Sequence, residues 1–170
     1  QGEGGVNQAD KNYLGGVRSI CDEHELLLIL DEIQTGIGRT GTMFCYEGYN
    51  IEPDILTLGK GLGGGFPVAA MLCREELNIF EKGEQGGTYT GQPLAMAVAL
   101  AVVGEVSKRK LHENAKLMGE EIKDVLREMA KEFPIERIRG AGLLLAFDIR
   151  EAIAESVRVE CLNQGLIINT

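Results

Sequence analysis

Apolar positions along the chain fall into two rhythms, one suited to helices and one to buried strands. Tyr13, Leu14, Val17, Ile20 and Cys21 recur at helical spacing and predict a helix within residues 8–23. Leu26 to Leu30 is then an unbroken apolar run ended by Asp31-Glu32. Its five-residue length suits a strand covered on both faces of a parallel sheet. A second strand is expected at 54–58, closed by Gly59-Lys60-Gly61, and a third from Val68 to Cys73. Pro93 fits a first helical position, and the apolar residues after it predict a helix. A longer helix is expected from about Leu111 to Phe133, with Leu111, Ala115, Met118, Ile122, Val125 and Met129 as its buried stripe. Beyond Pro134, residues 135–149 suggest strands around the turn Arg139-Gly140-Ala141-Gly142. A helix near 151–163, stopped by Gly165, and a final strand at Leu166 to Ile168 follow. Strands alternating with helices make a layered α/β fold. We expect residues 1–133 to form one domain and 134–170 to begin a second, too short to bury its own core.

Composition narrows the partners. With 44% hydrophobic and 25% charged residues, the 170-residue chain has the make-up of a globular protein rather than a disordered one. A net charge of −9 repels phosphate backbones and argues against nucleic acid. The longest apolar run, Leu94 to Val103, is well short of the ~18 residues of a membrane span. Cysteines at 21, 45, 73 and 161 make no C-x-x-C pair, so neither a metal site nor a disulfide framework is expected. Reduced thiols and the lack of a visible signal peptide suggest the cytoplasm. The opening Gln1-Gly2-Glu3, without a Met, leads us to expect an internal segment of something longer. Glycine is the distinctive entry: 13 of the 23 lie between Gly36 and Gly91, where the backbone must turn sharply or approach something closely.

Lys60 ends an apolar strand and enters a loop of Gly61, Gly63, Gly64 and Gly65. An amine desolvated there can form a Schiff base with a carbonyl. A turn lysine in water is the ordinary alternative; what shifts the balance is Asp31, expected to be buried at the end of another strand. Such a carboxylate requires a cation or strong donors opposite it, and strand C-termini are where open α/β sheets bind ligands. Two motif matches carry less. Gly36-Ile37-Gly38-Arg39-Thr40-Gly41 fits G-x-G-x-x-G, yet the preceding strand ends too early and no helix is expected to follow. Gly59-Lys60 lacks the Ser/Thr and the first glycine of a phosphate-binding P-loop.

Two longer stretches are more specific. Asp31-Glu-Ile-Gln-Thr-Gly-Ile-Gly-Arg-Thr-Gly41 and Pro53-Asp-Ile-Leu-Thr-Leu-Gly-Lys-Gly-Leu-Gly-Gly-Gly-Phe-Pro67 resemble segments of the class III aminotransferases. Gln1-Gly-Glu-Gly-Gly-Val6 and Gly87-Thr-Tyr-Thr-Gly-Gln-Pro93 resemble others, in the same order along the chain. The resemblance implies fold type I: part of a large domain's mostly parallel sheet with flanking helices, plus the start of a small C-terminal domain. It further implies pyridoxal 5'-phosphate as cofactor and a homodimer. Residues 31–41 and the ending Gly165-Leu-Ile-Ile-Asn169 are most similar to the branch that moves an amino group from N-acetylornithine to 2-oxoglutarate in arginine synthesis. Branches using ornithine, succinylornithine or 4-aminobutyrate share most of these residues.

Carried over residue by residue, the resemblance makes Lys60 the Schiff-base lysine and proton carrier. Asp31 becomes the partner of the pyridine nitrogen. Glu32, Ile33 and Gln34 are expected to bind the cofactor as well, Ile33 on the ring face and Gln34 near the ring hydroxyl. Thr88 would reach the phosphate of the neighbouring subunit. Glu3 and Gly87 fall on the substrate side, Glu3 as a gate between two kinds of substrate. Gly87 stands where a Ser is common, and Thr90, Gln92 and Gly59 also depart from the usual Gly, Asn and Ala. These differences bear on substrate recognition more than on cofactor chemistry. The phosphate loop, the ring-stacking aromatic and the substrate-carboxylate Arg of the family have no counterpart in these residues, so the chain by itself is expected to be inactive.

Overall fold

A computed structural model of the chain describes residues 1–150 and 152–170. Its elements are α1 (Tyr13–Glu23), β1 (Ile29–Asp31), β2 (Ile55–Leu58), β3 (Ala70–Cys73), α2 (Pro93–Lys108), α3 (Leu111–Met129), β4 (Ile135–Ala141), β5 (Leu144–Ile149) and α4 (Ala154–Asn163). Short 3-10 turns cover Cys45–Tyr49, Lys60–Gly63 and Glu75–Leu77. The first three strands form one sheet in the order β1-β2-β3, β1 parallel to β2 and β3 antiparallel to it. β4 and β5 form a separate antiparallel hairpin.

Central β2 organises the core. Its side chains alternate, and Leu56 and Leu58 are buried with Leu62 against Ala99 and Val103 of α2. A second cluster, Cys21, Leu28 and Ile51, lies beneath α1 and is completed by Leu14, Val17 and Tyr49. Asp54, just before β2, is only 6% exposed. Its carboxylate accepts from the Leu28 amide at 2.7 Å and from Arg18 at 2.7 Å, and pairs with Arg74 at 3.2 Å. The Arg18 hydrogen bond, seconded by the Leu28 amide, holds its carboxyl below the usual carboxylate range. That network fixes the entry to the strand whose exit carries Lys60.

The β4–β5 hairpin docks through glycine. A Cβ on Gly119 of α3 would overlap the Gly142 carbonyl, and Leu143 N–H donates to the Arg39 carbonyl at 2.9 Å. Gly142 itself has φ +53°, which the tight turn requires. Gly38 and Gly41, part of the G-x-G-x-x-G match, lie against α2 and α3: Cβ atoms there would meet Val106 at 3.2 Å and Lys116 at 3.0 Å. No α-helix opens at Gly41; a 3-10 turn at Cys45–Tyr49 comes next. These glycines allow close packing.

Three expectations are corrected. β1 is shorter than 26–30, and Leu26, Leu27 and Ile29 are exposed, because β1 is an edge strand paired only with β2. α3 stops at Met129, short of Phe133, and its buried row is Ala115 and Gly119. Met118, Ile122, Val125 and Met129 of the expected stripe are exposed, since the hairpin meets the small residues of the helix instead. Residues 166–168 form no strand, having no backbone partner to complete a ladder. The three strands of the first sheet hold one parallel and one antiparallel pairing.

Candidate active site

β1 and β2 run parallel with Asp31 opposite Thr57, so the chain leaves both strands on the same edge of the sheet. Ligands of open α/β sheets bind at that edge. Asp31 supplies one charged group there. Its Oδ1 accepts from the Ile33 amide at 2.9 Å, closing an Asx turn, and Oδ2 has no protein donor among the described residues. Contrary to the expectation of burial, Asp31 is exposed, because it ends an edge strand.

The buried acid is its neighbour Glu32, 3% exposed. Its Oε2 accepts from the Cys45 amide at 2.7 Å and the Thr35 hydroxyl at 3.2 Å, and its Oε1 from the Tyr46 amide at 2.8 Å. Burial pushes its carboxyl above the usual range, while those donors pull the other way. Glu32 was expected among cofactor-binding residues; both of its oxygens are instead committed to the chain's own donors, and it braces the 32–46 loop.

Lys60 follows β2 with φ +38°, a backbone conformation costly for a non-glycine residue and common at functional sites. Its side chain is 55% exposed and lies 3.8 Å from Glu3 Oε1, so the amine is not desolvated by this chain. Gln34 Nε2 donates to the same oxygen at 3.4 Å. Lys60 and Gln34 thus both meet Glu3. Ile33 sits over Gly59, where a Cβ would approach its Cγ2 to 3.3 Å. Lys60 and Gln34 line a cavity of about 470 Å³ beside α2, α3 and the hairpin. Asp31 and Glu32 line another, of about 240 Å³, toward Tyr46 and Tyr49. Thr88 and Gly87 lie in a fully exposed stretch, and no hydrogen bond or ion pair among the described residues links them to Lys60 or Asp31.

The donor set fits the ring end of pyridoxal phosphate: an accessible primary amine, a carboxylate with a free oxygen on the adjoining parallel strand end, and an aliphatic side chain beside a glycine. Sequence reasoning missed two contributors. Asp54 read only as the first residue of a strand, and the fold reveals that it ties Arg18, Arg74 and the Leu28 amide together. Arg139 read as part of a turn, yet its Nε donates to the Gly5 carbonyl at 2.7 Å, across 134 residues of sequence.

Comparison with known proteins fits this arrangement. The chain is 43% identical over 171 residues to the acetylornithine aminotransferase of Caldanaerobacter subterraneus, covering 100% of this chain and 44% of the relative. It is 47% identical to that of Methanosarcina mazei, covering 99% and 42%. Among solved structures, an ornithine aminotransferase from Plasmodium yoelii superposes with a TM-score of 0.92 at 36% identity, over 99% of this chain and 47% of that one. Acetylornithine aminotransferase from Elizabethkingia anophelis superposes with a TM-score of 0.90 at 36% identity, over 98% and 43%. The chain therefore spans less than half the length of the relatives it matches. The family description "Aminotransferase class-III" matches residues 1–170, and with its lysine and aspartate on adjoining strand ends the chain belongs to the class III aminotransferases.

Proposed function

We propose that the full-length protein containing this chain is a pyridoxal-phosphate-dependent transaminase that moves the amino group of N-acetylornithine to 2-oxoglutarate. The observation that carries the reading is the placement of Lys60 and Asp31 beyond the C-terminal ends of adjacent parallel strands, in a chain that matches acetylornithine aminotransferases along its length. When bound, the cofactor supplies an aldehyde that takes up amino groups and a ring that accepts electron density.

The chain's own residues supply the rest. Lys60 would hold the cofactor through its amine and would carry the transferred proton on Nζ. Asp31 would face the pyridine nitrogen with the oxygen its Asx turn leaves free, favouring the protonated ring. Gln34 would hold the ring hydroxyl side, and Ile33 a face of the ring. Glu3, already next to Lys60, occupies the substrate side with Gly87. Thr88 serves the site of a second subunit. Support for a homodimer comes from exposed apolar side chains, among them Tyr89, Ile79 and Leu100. We assign residues 1–133 to the cofactor-binding domain and 134–170 to the start of the small domain, and we place the protein in the cytoplasm, in keeping with its four free cysteines.

Ornithine is the alternative donor. Ornithine aminotransferases superpose as well as the acetylornithine enzyme does, and Gly87 removes a hydroxyl from the substrate side. The test is borohydride trapping followed by peptide mass analysis of the full-length protein, with half-reactions run on N-acetylornithine, ornithine, succinylornithine and 4-aminobutyrate. Label on Lys60 and fastest turnover of N-acetylornithine are expected. Label elsewhere, or normal turnover by Lys60→Ala, overturns the site. Faster turnover of another donor overturns the substrate.

A further inference from the structure

The N-terminal residues form a compact turn that carries Glu3 to Lys60. Gly5 and Val6 amides both donate to the Gly2 carbonyl at 3.0 and 2.9 Å, and the Asn7 amide donates to the Gln1 carbonyl at 2.8 Å. Val6 adopts φ +53° to close it. Glu3 and Gly4 are exposed, Gly2, Gly5 and Val6 are half-buried with Gly2 packed against the Gln34 side chain, and a few polar links complete the turn's position. On the Lys60 side those links are long: 3.8 Å from Glu3 to Lys60 and 3.4 Å to Gln34. On the opposite side they are short. Arg139 Nε donates to the Gly5 carbonyl at 2.7 Å, and the Gly140 amide donates to Gln8 Oε1 at 3.0 Å.

Arg139 reaches the turn because β4 carries a bulge. Glu136 pairs with Asp148 and Arg139 with Ala146, so three steps along β4 match two along β5, and Arg137 in between has φ +48°. In an unbroken ladder, residues 136 and 139 would face opposite sides of the hairpin. The extra residue puts them on the same side. Arg139 thereby meets Asp148 at 2.6 Å and the Arg137 carbonyl at 2.9 Å, and its side chain is only 20% exposed. A planar fork anchored at one end presents its Nε–H to Gly5 in a fixed direction.

We infer that Arg139 is a positioning residue that, held by Asp148 and the bulge, locks the Gly2–Asn7 turn so that Glu3 faces Lys60 and Gln34. The inference rests on the proposed active site, but its two tests fail separately. The first needs neither cofactor nor turnover. In the cofactor-free full-length protein, Arg139→Gln should speed amide exchange at Val6 and Asn7 by about tenfold or more, as expected for losing a charge-assisted hydrogen bond, and leave β2 unchanged. The second is a double-mutant cycle in the loaded enzyme. If Arg139 acts through Glu3, then Arg139→Gln, Glu3→Gln and the double variant should shift kcat/KM for the amino donor by similar factors.

Unchanged exchange at Val6 and Asn7, or additive losses in the cycle, overturns the inference. Additive losses alongside an inactive Lys60→Ala remove the latch and leave the site standing. An active Lys60→Ala removes the site, and the exchange result then still decides whether Arg139 holds the turn. Should Arg139→Gln not fold, Arg139→Lys carries the test. Its single ammonium cannot serve Gly5, Arg137 and Asp148 as a fork does, so exchange at Val6 and Asn7 must rise there too.

Discussion

Asp31 and Glu32 are adjacent carboxylates whose surroundings divide their work. Asp31 keeps one oxygen free at the exposed sheet edge, while Glu32 spends both oxygens on the Cys45 and Tyr46 amides. Substitution should separate the two roles. For Asp31→Asn in the full-length protein we expect a loss on the order of 3 kcal/mol in transition-state stabilisation, roughly a hundredfold in rate, because a neutral amide favours the pyridine proton less. Its stability should stay within about 0.5 kcal/mol of wild type, as for an exposed surface position. Glu32→Ala should show the reverse emphasis. It leaves the Cys45 and Tyr46 amides without an acceptor, each costing about 1–3 kcal/mol, and should lower the denaturation midpoint before it alters cofactor absorbance. Stopped-flow half-reactions paired with urea titrations check both. A stable, fully active Asp31→Asn would reduce that residue to an Asx turn.

The elements show why a strand end can carry this chemistry: β2 is tied at its entry as firmly as at its exit. Asp54 joins Arg18, Arg74 and the Leu28 amide there, so Asp54→Asn should destabilise the protein by about 2–4 kcal/mol near neutral pH. The pH dependence has a definite sign. The folded carboxyl titrates below its ordinary value of 3.8, so the unfolded chain takes up the proton first as pH falls. The stabilisation is complete above the ordinary value and fades as pH drops through the folded one. Urea midpoints of wild type and Asp54→Asn should therefore converge in acid, and a gap that stayed constant would show that Asp54 acts by packing alone. Much of this frame was legible in sequence. The strand at 54–58, Pro93 at a helix start and the Lys60 and Asp31 strand ends all reflect local rules that the fold obeys. Burial was not legible. Leu26–Leu30 and the Met118–Met129 stripe read as covered because apolar runs indicate a need for cover without naming what provides it. The Arg139 bulge was equally silent, since one extra residue in a ladder leaves no periodic trace.

At the scale of the whole molecule, those uncovered surfaces dictate how the 170 residues should behave alone. β1 offers an open backbone edge beside exposed Leu26, Leu27 and Ile29. α2 is apolar nearly all round, yet only Ala95 is buried, and Leu94 and Leu100 remain in water. A helix of that composition belongs in an interior or an interface, and an unpaired edge invites further strands. In the proposed site Lys60, Asp31 and Gln34 would address one end of the cofactor, and Thr88 is held by none of them among the described residues. The phosphate and the second ring face would then lack protein contacts, each absent charge-assisted hydrogen bond costing about 1.5–3 kcal/mol. We expect the isolated chain to self-associate, to bind pyridoxal phosphate weakly and to produce no glutamate from N-acetylornithine and 2-oxoglutarate. Light scattering run beside a glutamate assay measures all three, and a monodisperse monomer with steady turnover would show that these residues form a complete site by themselves.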